Sequence, residues 1–252
     1  MCRFLAYLGP DVSLDALLLQ PPHSLLRQTW EPRYQRRGQV NVDGFGVGWY
    51  DFSARPEPAL YRRACPMWAD RSFASIAGVV RSGAVLGSVR DATPPSPIEE
   101  TCTAPFASGP WLFAHNGEVK GFRTGGRGVL LGQLSDRRAA EIESSADSEV
   151  LFAMVLDRLD AGAGPPEALQ AVVETVLTLT GGRLNMVLTN GHAVAATACG
   201  DSLFLLQPQD PAAGCVVASE PYDDAPEWRA VPDGSVVQAD AGRSARIEAM
   251  SR

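Results

Sequence analysis

The chain has 252 residues, 45% hydrophobic and 20% charged, with a formal net charge of −7. That is enough for a sizeable core and is ordinary for a globular protein. The acidic balance, with no basic run longer than two residues, excludes nucleic acid and anionic membrane as main partners.

The first element in chain order is a buried strand over residues 4–8, ending at Gly9-Pro10. Arg3 interrupts the short apolar run there, so no signal peptide is read. Ser13 caps a short helix through Leu19, stopped by Pro21-Pro22. Residues 23–41 form a long, arginine-rich irregular segment, and loops of that length are usually functional or mobile. Strands are expected over 47–52, 85–90 and 111–115, with Asp70 capping a helix through about Val80. Residues 93–110 read as irregular chain and 121–128 as a glycine-rich surface loop. Apolar residues at helical spacing predict helices over 147–159 and 166–179. The remainder alternates as strands over 184–189, 193–197, 203–206, 216–219, 236–239 and 246–249. Strands, a helix pair and more strands suggest two sheets with helices packed outside. No repeat or linker divides the chain, so one domain over 2–252 is expected.

Five widely spaced cysteines include no Cys-x-x-Cys pair, which suggests neither a disulfide framework nor a zinc site. No stretch approaches the ~20 apolar residues of a membrane span. A reduced, cytoplasmic protein without metal or organic cofactor is expected.

Four segments carry possible chemistry. Cys2 stands directly behind Met1, and removal of Met1 would place a thiol and a free α-amine on one residue. Such an amine titrates at roughly 7.7–8 and can move protons for its own side chain. The plainer alternative is a buried cysteine of the first strand. His115-Asn116-Gly117 follows an apolar strand, so the Asn116 amide and the Gly117 N–H are candidate donors to an oxyanion. By itself the Asn-Gly pair favours a hairpin turn where that strand ends. Residues 41–50 contain a Gly-x-Gly-x-Gly run that enters a strand, the wrong order for dinucleotide binding; these glycines either let backbone approach a ligand or the N-terminal residue, or form a plain turn before an edge strand. Arg90 ends a strand, where it can clamp a carboxylate or form an ion pair with Asp91 or Asp147. Asp147 is most simply a helix N-cap, with capture of an ammonium as the alternative.

Taken in order, Cys2, Asp-Gly-Phe-Gly-Val-Gly-Trp-Tyr, Val-Arg-x-Ala-Thr, His-Asn-Gly and Asp-Ser-Glu resemble the class II glutamine amidotransferases. The resemblance implies an α+β fold, the four-layer αββα sandwich of the N-terminal-nucleophile hydrolases, with two mostly antiparallel sheets. It implies Cys2 as nucleophile, with Asn116 and Gly117 as oxyanion hole. Arg90 would hold a glutamyl α-carboxylate and Asp147 its α-ammonium, with Thr93 and Gly44 of the same motifs also at the substrate. Residues 20–25, Ala64-Cys65-Pro66-Met67-Trp68, Ser219-Glu220-Pro221-Tyr222-Asp223-Asp224 and Trp228 resemble the branch of that family that serves ergothioneine biosynthesis. Members of that branch release glutamate from γ-glutamyl-hercynylcysteine S-oxide. Pro94-Pro95 replaces the His-Gly found after Arg-x-Ala-Thr in many ammonia-transferring relatives, which argues against free glutamine as substrate.

The expected partner is therefore a small γ-glutamyl compound. A glutaminase subunit feeding a synthetase and a non-catalytic γ-glutamyl-binding protein are the alternatives. Trp30, Tyr50, Trp68 and Trp228 are candidate faces for a trimethylammonium group, although each is more often a core or rim aromatic. Arg33, Arg36 and Arg37 read mainly as a solvated face.

Overall fold

The computed structural model describes residues 2–93 and 96–250. In chain order its strands and α-helices are β1 (Arg3–Ser13), α1 (Leu14–Leu18), β2 (Phe45–Trp49), β3 (Ala59–Arg63), α2 (Arg71–Ala77) and β4 (Arg81–Val89). There follow β5 (Phe106–Ser108), β6 (Trp111–Val119), α3 (Gly126–Leu131), α4 (Asp136–Ala140), α5 (Asp147–Asp160) and α6 (Pro165–Leu179). The chain closes with β7 (Gly182–Thr189), β8 (Ala193–Ala198), β9 (Phe204–Leu206), β10 (Cys215–Ala218), β11 (Trp228–Ala230), β12 (Ser235–Asp240) and β13 (Arg246–Ala249).

One sheet has the order β11-β9-β10-β1-β4-β2-β3 and the other β13-β12-β8-β7-β6-β5. Side chains alternate across a strand, so a strand central in a sheet covered on both faces must be apolar on both. β1 fits this demand. Phe4, Ala6 and Leu8 enter one core with Phe113, Val187 and the apolar faces of α5 and α6. Leu5 enters a second core with Leu14, Leu18 and Phe73 from α1 and α2. The layers are thus α1/α2, the seven-stranded sheet, the six-stranded sheet and α5/α6, the four-layer α+β sandwich expected.

Local signals explain several boundaries. Ser13 caps α1 by accepting from the Ala16 N–H at 3.2 Å. Asp70 caps α2, accepting from the Phe73 N–H at 2.9 Å and from the Tyr61 hydroxyl at 2.6 Å. Burial opposes the charge on Asp70, but Tyr61, the Phe73 and Ser72 N–H groups and Arg63 outweigh it and hold its pKa below the ordinary carboxylate range. A depressed folded-state pKa contributes stability above the unfolded value, near 3.9, which is lost as pH falls through the folded value. Asp70→Ala is expected to cost about 1–2 kcal/mol at neutral pH. Urea titration should show that deficit shrinking in acid.

Other expectations need correction. β1 continues past Gly9-Pro10 to Ser13, through a register shift between Leu8 and Val12 that absorbs the proline. The strand expected over 47–52 runs instead over Phe45–Trp49, paired on both sides by β3 and β4. The glycine-rich segment 121–128 is a 3-10 turn, Phe122–Thr124, leading into α3. β6 does not stop at His115. It runs to Val119, with Asn116 opposite Asn185 and Gly117 opposite Leu184 of β7. Asn116-Gly117 is therefore neither a hairpin turn nor a strand end. Eight paired positions with β7 outweigh the local turn preference of the pair. Pro94-Pro95 lie outside the described residues.

Candidate active site

β6 presents two faces. Phe113 stacks on Phe152 of α5 at 5.1 Å, so Phe113, His115 and Gly117 look toward the outer helices. Leu112 lies against Gly48 of the opposing sheet, so Leu112, Ala114 and Asn116 look between the sheets. The alternation of β1 turns Cys2, like Phe4, to that same inner side.

A cavity of about 230 Å³ opens where β1, β4 and β6 end beside α5. Cys2, Arg90, Thr93, Gly117 and Asp147 all line it, so five of the seven residues picked from sequence meet at one place. Asp91, Glu118 and Arg123 add further charge to the wall. A cavity with guanidinium and carboxylate groups on its walls suits a zwitterion better than an apolar ligand.

The other two lie behind the wall. Asn116 is fully buried, and neither its amide nitrogen nor its amide oxygen has a hydrogen-bond partner. Buried polar groups are nearly always paired, so an orphaned amide next to Gly117 is the kind of group that a ligand atom could satisfy. Gly44 does not line the cavity. Its φ of +146° and the approach of Thr103 Oγ1, which would stand 2.7 Å from a Cβ, require glycine there. Its carbonyl accepts from the Arg90 N–H at 2.8 Å, and the Asp43 N–H donates to the Arg90 carbonyl at 2.9 Å. The Gly44 segment therefore fixes the backbone of Arg90.

Arg90 is buried, with Nη1 donating to the Pro97 carbonyl at 3.0 Å. Among the described residues no ion pair joins it to Asp147, and Arg90 lines the cavity. Asp147 is not the N-cap of α5. Ala146 holds that position, and Asp147 occupies the first helical turn. Its Oδ2 accepts from the Val119 N–H at 2.9 Å and its Oδ1 from the Ser148 N–H at 2.8 Å. The carboxylate is thus oriented by backbone of both β6 and α5. A negative charge here also suits the positive end of a helix.

The family model for class II glutamine amidotransferases matches residues 28–213. The chain belongs to the class II glutamine amidotransferases. It is 41% identical over 239 residues to the γ-glutamyl-hercynylcysteine sulfoxide hydrolase of Mycolicibacterium smegmatis, covering 94% of this chain and 95% of that one. It is 38% identical over 242 residues to the protein of the same name from Mycobacterium tuberculosis, covering 94% and 92%. Among solved structures, a glutamine aminotransferase class-II domain protein from Silicibacter pomeroyi superposes with a TM-score of 0.72 at 27% identity, over 100% of both chains.

Sequence reasoning missed several groups that this amidotransferase fold places at the site. His115 was read only as part of the Asn-Gly motif, yet its ring is buried against the cavity and bonded on both nitrogens. Arg3 is fully buried on the face of β1 opposite Cys2. Its Nε donates to Gln35 Oε1 at 3.2 Å and lies 3.8 Å from Glu220 Oε1. Burial pushes the Arg3 pKa down against the attraction of Glu220. Glu220 Oε2 in turn accepts from the N–H groups of Arg33 and Tyr34, at 2.6 and 2.9 Å, tying the long early loop to the start of β1. The local signal for this was a charged residue directly after Cys2, at the head of the apolar run over residues 4–8.

The aromatic candidates separate. The Tyr50 hydroxyl shares its one proton within the core between the carbonyls of Pro110 and Thr189, at 2.7 and 2.9 Å, and Trp228 donates to Asp223 Oδ1. Trp30 and Trp68 meet edge to face at 5.4 Å, half exposed, away from the cavity wall. Arg36 and Arg37 are exposed, as a solvated face requires. All five cysteines are free. Among the described residues no cluster of His, Cys, Asp or Glu is placed to hold a metal, and no helix is long and apolar enough to cross a membrane.

Proposed function

We propose that the protein is an amidohydrolase that cleaves γ-glutamyl-hercynylcysteine S-oxide to glutamate and hercynylcysteine S-oxide, in ergothioneine biosynthesis. The observation that carries this reading is similarity at 41% identity along nearly the full length of a relative bearing that name. The grouping of Cys2, Arg90, Gly117 and Asp147 around one cavity supports it. The residues 2–252 act as one catalytic unit, in the cytoplasm, with no nucleic acid or membrane partner.

In this mechanism Met1 is removed and the α-amine of Cys2 takes the thiol proton. The thiolate attacks the γ-carbonyl, and the oxyanion is held by the Asn116 amide and the Gly117 N–H. The C–N bond breaks as the α-amine returns the proton to the leaving nitrogen. Water, deprotonated by the same amine, then hydrolyses the γ-glutamyl thioester and releases glutamate. Arg90 pairs with the glutamyl α-carboxylate and Asp147 with the α-ammonium, while Thr93 lines the same pocket and Gly44 supports Arg90.

Arg90 and Asp147 meet parts of the substrate whose charge does not change in the reaction. Their loss should therefore weaken ground state and transition state alike. Arg90→Ala and Asp147→Asn are each expected to raise KM by roughly tenfold or more with a smaller change in kcat. Steady-state kinetics of glutamate release measures both. The reading itself is tested by comparing glutamate release from γ-glutamyl-hercynylcysteine S-oxide with that from free glutamine. A strong preference for glutamine would instead make the protein an ammonia-supplying glutaminase.

A further inference from the structure

His115 lines the cavity, and its ring contacts lead to Ser148, Gly117 and the Arg183 carbonyl, which surround the positions assigned to the substrate. Its Nε2 lies 2.9 Å from the Arg183 carbonyl of β7. A carbonyl only accepts, so Nε2 carries the proton, and in the neutral ring Nδ1 is left as an acceptor. Nδ1 lies 3.0 Å from the hydroxyl of Ser148, in the first turn of α5. The single hydroxyl proton of Ser148 goes to Nδ1, so the tie from Ser148 to Asp147 is the Ser148 backbone N–H, which donates to Asp147 Oδ1 at 2.8 Å. The ring also lies directly over Gly117. A Cβ at that residue would stand 2.5 Å from Nε2 and 1.9 Å from the Arg183 carbonyl oxygen. Glycine at 117 is thus what lets the imidazole cross the strand and reach β7.

We propose that His115 is a positioning residue, acting through Ser148 to hold Asp147 at a fixed distance from the oxyanion donor at Gly117. One imidazole joins β6, β7 and the start of α5, the three elements whose spacing sets where a glutamyl ammonium sits relative to the scissile carbonyl. A buried histidine that served only to fill the core would need no acceptor for Ser148, and its loss would lower stability without singling out substrate affinity. The inference rests on Asp147 being the ammonium site.

The test is a set of variants of the full chain assayed for glutamate release from γ-glutamyl-hercynylcysteine S-oxide, with thermal melting of each. Ser148→Ala and His115→Gln are each expected to raise KM about five- to tenfold, what one net hydrogen bond is worth, with kcat within about threefold. The double variant should be no worse than the poorer single one, because both break the same chain. His115→Asn places a carboxamide oxygen where Nδ1 was and should recover most of the affinity. KM effects that multiply in the double variant, an Asn variant as poor as the Gln variant, or a Ser148→Ala enzyme with wild-type KM would each overturn the inference. Ser148→Ala removes a single hydroxyl from the first turn of a helix, so it decides the question even where a position-115 variant does not fold. Asp147→Asn separates the two claims. If it raises KM while Ser148→Ala does not, only the role of His115 falls; if it leaves KM unchanged, the assignment of the ammonium site falls and takes this inference with it.

Discussion

Cys2→Ala is expected to lower kcat for γ-glutamyl hydrolysis by about four orders of magnitude or more, the scale seen when a covalent nucleophile is deleted. In the proposed mechanism the Cys2 thiol, on the cavity wall, carries both attack and acyl transfer. Cys102, which also lines the cavity, is committed to Glu99 Oε1 at 3.3 Å. Substrate affinity should survive, because Arg90 and Asp147 are untouched; calorimetry with the intact substrate on the Cys2→Ala protein would read it directly. In the wild type, mass spectrometry of acid-quenched enzyme should find a γ-glutamyl adduct on the peptide that begins with Cys2, with Met1 absent. Activity persisting in the alanine variant, or full turnover by enzyme retaining Met1, would remove the basis of the mechanism.

Asn116→Ala should lower kcat by about 10²–10³-fold with little change in KM, the usual consequence of losing one oxyanion donor. Stability should move the other way. Both polar atoms of the Asn116 side chain are buried without partners, and each such group costs about 1–3 kcal/mol in the free fold. Asn116→Leu keeps the branched shape and discards the polarity, so it is expected to unfold at higher urea concentration than wild type by about 1–2 kcal/mol. A residue whose removal stabilises the protein while disabling it is retained for chemistry. Loss of both stability and activity would instead give Asn116 a structural role, leaving the Gly117 N–H as the sole donor.

Much of the architecture was legible because it depends on local pattern. The apolar run of β1, the capping residues Ser13 and Asp70, and the apolar stripes of α5 and α6 are visible within a dozen residues of sequence. The short strands β3, β5 and β11 were not read. They are three to five residues long, sit at or next to sheet edges, and owe their extended form to a partner strand rather than to their own composition. The Asn116-Gly117 pair misled for the same reason. Its turn preference is local, whereas its place within β6 is imposed by β7, nearly 70 residues further along the chain.

By itself the sequence determined which residue types were available for acyl transfer, and in what order: a thiol at position 2, a guanidinium at 90, an amide and a glycine at 116 and 117, a carboxylate at 147. Chemical identity is a property of single residues, so no folding is needed to read it. What only the tertiary structure decided was their arrangement. It set Arg90 apart from Asp147, moved Asp147 from helix cap to cavity wall, left the Asn116 amide unpaired and linked His115 to Ser148. Each of those facts is a distance between segments far apart in the chain. Such distances follow from how two sheets and their outer helices pack, which no local preference specifies.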